Sequence, residues 1–189
     1  MHQPGDALRS EPAGPLHVVV MGVAGCGKSS VGSGIADALG LPMVEGDTFH
    51  PASNKAKMRA GVPLTDADRA GWLARLVEEL RARPGGAVLA CSALRRAYRD
   101  QLRTAAPGLR FVHLAISQAE SQQRVAGRSD HFYPPSLVAS QFQTLQDPAG
   151  EPGVIVVDGE LPIRGVVALA LASLRRGPRA GSTFRNELR

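Results

Sequence analysis

Residues 16–40 read LHVVVMGVAGCGKSSVGSGIADALG, and this stretch decides the fold. Leu16 to Met21 is a short, largely apolar, valine-rich run without polar alternation, as a strand buried on both faces requires. Val31, Ile35 and Leu39 then recur every four residues, so a helix runs from about Lys28 to Leu39 and stops at Gly40. Between them, Gly22-Val23-Ala24-Gly25-Cys26-Gly27-Lys28-Ser29 fits G-x-x-x-x-G-K-[ST]. Glycines at 22, 25 and 27 let the backbone turn its N–H groups inward onto phosphate oxygens. The helix adds its positive end, Lys28 reaches the β- and γ-phosphates, and the Ser29 hydroxyl ligates Mg²⁺. Ser30 follows in the first helical turn. Cys26 contributes backbone here, since nothing nearby suggests acyl chemistry. With only three lysines against nineteen arginines, the pattern arises by accident in roughly 0.3% of chains of this composition. Strand, glycine loop and helix together point to a site for a nucleoside triphosphate with Mg²⁺.

Working outward, Pro42 to Val44, Ala87 to Cys91, Arg110 to Ile116 and Gly153 to Val157 are further short apolar runs. Helical periodicity covers Asp66 to Arg83 (Leu73, Leu76, Val77, Leu80) and Ile163 to Leu174. A short helix is expected at Ala52 to Ala60, and another at Pro135 to Leu145. Ser92 and Ser117 read as N-caps of helices reaching about Thr104 and Ala126. Leu94, Tyr98 and Leu102 would form the apolar stripe of the first. Five strands alternating with helices imply an α/β fold: a five-stranded parallel sheet with helices on both faces. Residues 1–15 read as a flexible leader, 16–176 as one kinase-type domain, and 177–189 as a basic, disordered tail.

Composition narrows the function classes. The 189 residues and 43% apolar content suit one soluble domain. No run of eighteen apolar residues occurs and no secretory signal is visible, which implies a cytoplasmic protein without a membrane partner. Two cysteines, Cys26 and Cys91, are too few for a disulfide framework. The net charge of +5 hints at nucleic acid. However, five arginines and one acid fall in residues 175–189, so the excess charge is read as a solvated tail and no nucleic-acid partner is expected.

Other nucleotide-binding classes fit poorly. A guanine-reading Asn-Lys-x-Asp is missing, because Asn54-Lys55-Ala56-Lys57 lacks the aspartate. No aspartate ends the third strand, as a motor-type ATPase would need. A small kinase remains. Glu45-Gly46-Asp47 ends the second strand, where ligands bind in open α/β sheets. Asp47 suits an acceptor hydroxyl, and Glu45 a magnesium ion through water. Arg124 and Arg128, one helical turn apart, suit a phosphate clamp at the start of a lid spanning about 124–135. His50 and His131 lie in polar loops beside phenylalanines. Arg95, Arg99 and Arg103 share a helix face from which one or two would meet an anionic acceptor.

Together the segments MGVAGCGKSS (Met21–Ser30), EGDTFHPASNKAKMRAGVPLTDADRAGWL (Glu45–Leu73), CSALRRAYRDQLR (Cys91–Arg103), GRSDHF (Gly127–Phe132) and SQFQTLQDP (Ser140–Pro148) resemble the gluconokinase family. These are small P-loop kinases related to shikimate kinase. The resemblance covers about Val18 to Leu174. It implies transfer of the ATP γ-phosphoryl to the 6-hydroxyl of D-gluconate. Lys28, Asp47, Arg124 and Arg128 would be catalytic. Gly22, Gly25, Cys26, Gly27, Lys28, Ser29, Ser30 and Arg124 would hold ATP. Asp47, His50, Asn54, Arg69, Arg99 and His131 would contact the substrate within a segment of about 47–73. Ser29, and Glu45 through water, would hold the metal. A homodimer is a reasonable expectation. The chain departs from the family pattern at Glu45, Arg95 and Gln146. The alternatives are a kinase for another small hydroxy acid such as shikimate, or a nucleotide-binding regulatory module without transfer activity.

Overall fold

The computed structural model describes residues 15–127 and 134–176. Leu16–Met21 (β1), Met43–Glu45 (β2), Gly86–Ala90 (β3), Arg110–Ala115 (β4) and Val154–Asp158 (β5) form one sheet in the order β2-β3-β1-β4-β5. Every neighbouring pair is parallel, with Val19 opposite both Leu89 and Phe111. The helices are α1 (Lys28–Leu39), α2 (Ala52–Arg59), α3 (Asp66–Arg81), α4 (Arg96–Arg103), α5 (Gln118–Ala126), α6 (Val138–Thr144) and α7 (Ile163–Arg175). Single 3₁₀ turns at Gly46–Phe49 and Pro135–Leu137 precede α2 and α6. No described helix is long and apolar enough to cross a membrane.

Alternation along each strand divides the core in two. Val19 and Met21 face α3 and α4 with Leu73, Leu76, Leu80 and Leu102. Val18 and Val20 face α1 and α7 with Ile35, Val166 and Ala170. Each wholly buried leucine is worth about 1.5–3 kcal/mol relative to exposure, so both layers are needed to hold so short a sheet. α1 follows β1 onto one face, whereas α4 follows β3 onto the other. Adjacent strands that send their chains to opposite faces open a crevice at their carboxyl ends, and the site lies there.

The helix after β3 starts later than its sequence suggests. Ser92 is not an N-cap. α4 begins at Arg96 with Arg95 in the cap position. The reason is Ala93, held at φ 44°, which breaks any helical continuation from Ser92. Leu94 consequently packs in the α1–α7 layer, while Tyr98 and Leu102 pack in the α3 layer. The expected helix at 135–145 is a 3₁₀ turn running into α6. The expected tail, nearly all of the leader, and lid residues 128–133 lie outside the described residues.

Candidate active site

The glycine loop is set by close approach. Gly22 has φ 143°, and a Cβ there would lie 2.8 Å from Cys26 Sγ and 2.9 Å from the Leu114 carbonyl. Gly27, at φ 96°, caps α1 and faces open space. The two loop peptides on either side of Ala24 are held by side chains. Lys28 Nζ donates to the Val23 carbonyl at 3.0 Å. The Ala24 N–H donates to Gln141 Oε1 at 2.6 Å, and the Ala24 carbonyl accepts from Ser121 Oγ at 2.7 Å.

A second wall grows from β2 and α3. Gly46 packs so tightly that a Cβ would lie 2.4 Å from the Ala90 carbonyl. Trp72 of α3 donates its indole N–H to the Gly46 carbonyl at 2.8 Å, which fixes the turn bearing Glu45 and Asp47. Its ring stacks on His50. Asn54 Nδ2 donates to the Asp68 carbonyl at 2.7 Å and approaches His50 Nδ1 at 3.3 Å. Because an amide N–H only donates, Nδ1 is the acceptor and the imidazole proton sits on Nε2. Nε2 lies 4.0 Å from Asp47 Oδ1. Burial lowers the His50 pKa to about 4 against the opposing pull of Asp47, with Arg69 and Lys55 reinforcing the shift. His50 is therefore neutral at pH 7.

Asp68 ties α2 to α3. It accepts from Lys57 Nζ at 2.6 Å and closes a capping box with Thr65. The Lys57 hydrogen bond and those from Thr65 lower its pKa to about 2.

These walls enclose a cavity of about 620 Å³. Gly25, Gly27, Lys28, Ser29 and Ser30 line one side; Glu45, Asp47, His50 and Arg69 line the other. An anion-binding loop thus faces carboxylates, an imidazole and a guanidinium across a space suited to a small molecule.

The chain is similar in sequence and fold to known proteins. The AAA domain family matches residues 18–152. A gluconokinase of Gluconobacter oxydans is 49% identical, the match covering 77% of this chain and 84% of that protein. The crystal structure of a gluconokinase from Sinorhizobium meliloti superposes with a TM-score of 0.80 at 49% identity, covering 87% of this chain and 94% of that one. The chain belongs to the gluconokinase family. Shikimate kinase from Aquifex aeolicus shares the fold at 18% identity, with a TM-score of 0.56 over 85% of this chain and 97% of that one.

As a gluconokinase-family site, the cavity gathers some of the expected residues and leaves others out. Gly22 and Cys26 do not line it. Gly22 makes the tight turn, and Cys26 is buried, which pushes its thiol pKa up. Asn54 is buried and holds His50 in place from behind. Arg124 packs its Cβ near Gly25 but directs its guanidinium to Glu120 and the Gly159 carbonyl. Arg128 and His131 lie outside the described residues.

Arg99 is the clearest departure. It is 0% exposed and does not reach the cavity. Its guanidinium is used on Glu151, on the carbonyls of Ala93 and Leu94, and on that of Gln146. Arg95 and Arg103 are also engaged, with Asp66 and with Asp100 and Glu151. The shared face of these arginines serves ion pairs within the fold.

Among the lining residues that the sequence did not single out as functional are Trp72, Arg59 and Gln141. Trp72 stands beside Leu73 on the apolar face of α3, where a tryptophan reads as core. Arg59 stands two positions from Lys57 in a basic segment, which gave it no distinguishing signal. Gln141 reaches the loop from 117 residues away, a contact that no local pattern encodes.

Proposed function

We propose that this protein transfers the γ-phosphoryl of ATP to the 6-hydroxyl of D-gluconate, giving 6-phospho-D-gluconate and ADP. The observation that carries the reading is the single cavity shared by the phosphate loop and the Asp47–His50–Arg69 wall.

The loop N–H groups and the α1 N-terminus hold the phosphates, and Lys28 neutralises charge on the β- and γ-phosphoryl groups. Ser29, Glu45 and Asp47 line one cavity, and no group of three or more metal-ligating side chains occurs among the described residues. Such a donor set suits Mg²⁺, which keeps waters and takes phosphate oxygens as ligands. Ser29 would hold it directly and Glu45 through water; bound there, it neutralises charge developing on the phosphates. Arg69, unlike Arg99, offers a guanidinium at the cavity for the gluconate carboxylate. The 6-hydroxyl oxygen forms a bond to the γ-phosphorus as the bond to the ADP oxygen breaks. The hydroxyl proton passes to Asp47, whose Oδ1 lies 4.0 Å from His50 Nε2. Positioning and charge neutralisation supply most of the rate. Arg124 and the lid residues Arg128 and His131 belong to the closed state in this reading. The enzyme acts in the cytoplasm and assembles as a homodimer, which sedimentation of the purified protein checks.

The test is ADP release with Mg·ATP and one acceptor at a time: D-gluconate, shikimate, AMP, GMP or none. Release with gluconate alone, and phosphate on its 6-oxygen by ³¹P NMR, is expected. Release with a different acceptor overturns the substrate, and no release with any acceptor overturns the reaction.

A further inference from the structure

Gln141 uses its carboxamide oxygen within the fold and leaves its amide hydrogens uncommitted among the described residues. Its Oε1 accepts from the Ala24 N–H at 2.6 Å. That N–H can only donate, so the carboxamide orientation is fixed and the two Nε2 hydrogens must point elsewhere. Nothing among the described residues accepts from them, although Gln141 lines the cavity of the phosphate loop. Its neighbours on the same helix do not compete for that role. The Ser140 and Thr144 hydroxyls are used on the carbonyls of Leu137 and Ser140.

The peptide that Gln141 grips locates the missing acceptor. Val23 carbonyl and Ala24 N–H belong to one peptide unit, and the carbonyl holds the Lys28 ammonium at 3.0 Å. The lysine of this motif serves the β- and γ-phosphates. A trans peptide points its C=O and N–H in opposite directions, so Lys28 and Gln141 grip this loop peptide from opposite sides, and both line the cavity into which the phosphate loop opens. An unused amide donor at that position suits a phosphoryl oxygen.

We propose that Gln141 contacts the transferring phosphoryl group: its oxygen is anchored on the Ala24 N–H and its Nε2 donates to a γ-phosphoryl oxygen. The contact is absent with ADP. Gln141 then discriminates triphosphate from diphosphate, and its donors stabilise the phosphoryl oxygens during transfer. The inference rests on the kinase reading of the cavity and does not depend on which acceptor fills the opposite wall.

Gln141→Glu is the sharpest probe. It keeps an oxygen for the Ala24 N–H but replaces the donors with a negative charge. Binding of the β,γ-imido analogue of ATP and of ADP, each with Mg²⁺ and no acceptor, is measured by calorimetry on wild type and variant. The expected result is a loss of at least tenfold in analogue affinity, with ADP affinity held within about twofold, and a fall in kcat with gluconate of about 100-fold. Gln141→Met keeps the side-chain volume and removes both hydrogen bonds. It should show the same selective loss, so the test survives misfolding of either variant. Equal losses for analogue and ADP would reduce Gln141 to a brace for the loop and overturn the proposal. So would unchanged analogue affinity, or an effect confined to the KM for gluconate. Wild-type protein that binds the analogue but does not phosphorylate gluconate would overturn the acceptor assignment alone.

Discussion

The rings of His50 and Trp72 stack with centroids 4.1 Å apart and planes 15° from parallel. Through this pair, a helix-core tryptophan positions a cavity histidine while its indole N–H holds the turn between Glu45 and Asp47. Trp72→Phe keeps a ring for the stack but leaves the buried Gly46 carbonyl without its donor. The expected cost is about 1–3 kcal/mol of stability, with a higher KM for gluconate and little change in the KM for ATP. Urea denaturation and steady-state kinetics check both. An unchanged gluconate KM would mean that the turn holds its shape without the indole.

Glycines 46 and 71 should respond in opposite directions to alanine. A Cβ on Gly46 would lie 2.4 Å from the Ala90 carbonyl, which is backbone and cannot move aside cheaply. Gly46→Ala should displace Glu45 and Asp47, destabilise the protein, and cost most of the activity. Gly71 lies inside α3 with nothing within 4 Å of its would-be Cβ. Gly71→Ala should stabilise by about 0.5–1 kcal/mol without changing kinetics. Thermal melts of the two variants give the comparison directly.

Arg99 tests the division between fold and site. It is fully buried against Glu151, whose side chain is 9% exposed. Removing one partner of a buried pair leaves an uncompensated charge, at about 3–5 kcal/mol. Arg99→Met and Glu151→Gln should both destabilise strongly, while surviving folded protein keeps a near-normal gluconate KM. A large rise in KM without loss of stability would return Arg99 to the substrate.

These cases show what the sequence could reveal. The phosphate loop was legible because its strand, glycines, lysine and helix are contiguous, and each is demanded by local backbone chemistry. Strand ends fell within about a residue of expectation for a related reason: a buried parallel strand is a short apolar run with turns at its ends. Arg99 was not legible in the same way. Its surroundings depend on Glu151, 52 residues later in the chain, and a helical arginine bound for the interior looks like one bound for a ligand. Ser92 misled because capping chemistry was read without the backbone at Ala93, whose positive φ nothing in an alanine suggests. Asp47 was legible at the end of the second strand and His50 in its polar loop, whereas Arg69 came from the family resemblance alone; all three line one cavity, where Trp72 holds the Gly46 turn and stacks on His50.

Acid should weaken the fold through two histidines. Burial lowers His50 and His113 to about 4, against an ordinary value near 6.5. His113 is opposed by Asp147 and reinforced by Arg99, and its Nδ1 has no partner. Between pH 6.5 and 4 the unfolded chain therefore binds protons that the folded chain refuses. Stability is full above about 6.5 and falls as the pH drops, by about 2 kcal/mol per histidine by pH 5. Between pH 7 and 5 this decline precedes that of the carboxylates, whose contributions enter below about pH 5. Urea denaturation at pH 7, 6 and 5 should show the decline, and His113→Leu should remove about half of it. A decline that His113→Leu leaves intact would mean that His113 accepts its proton without cost inside the sheet.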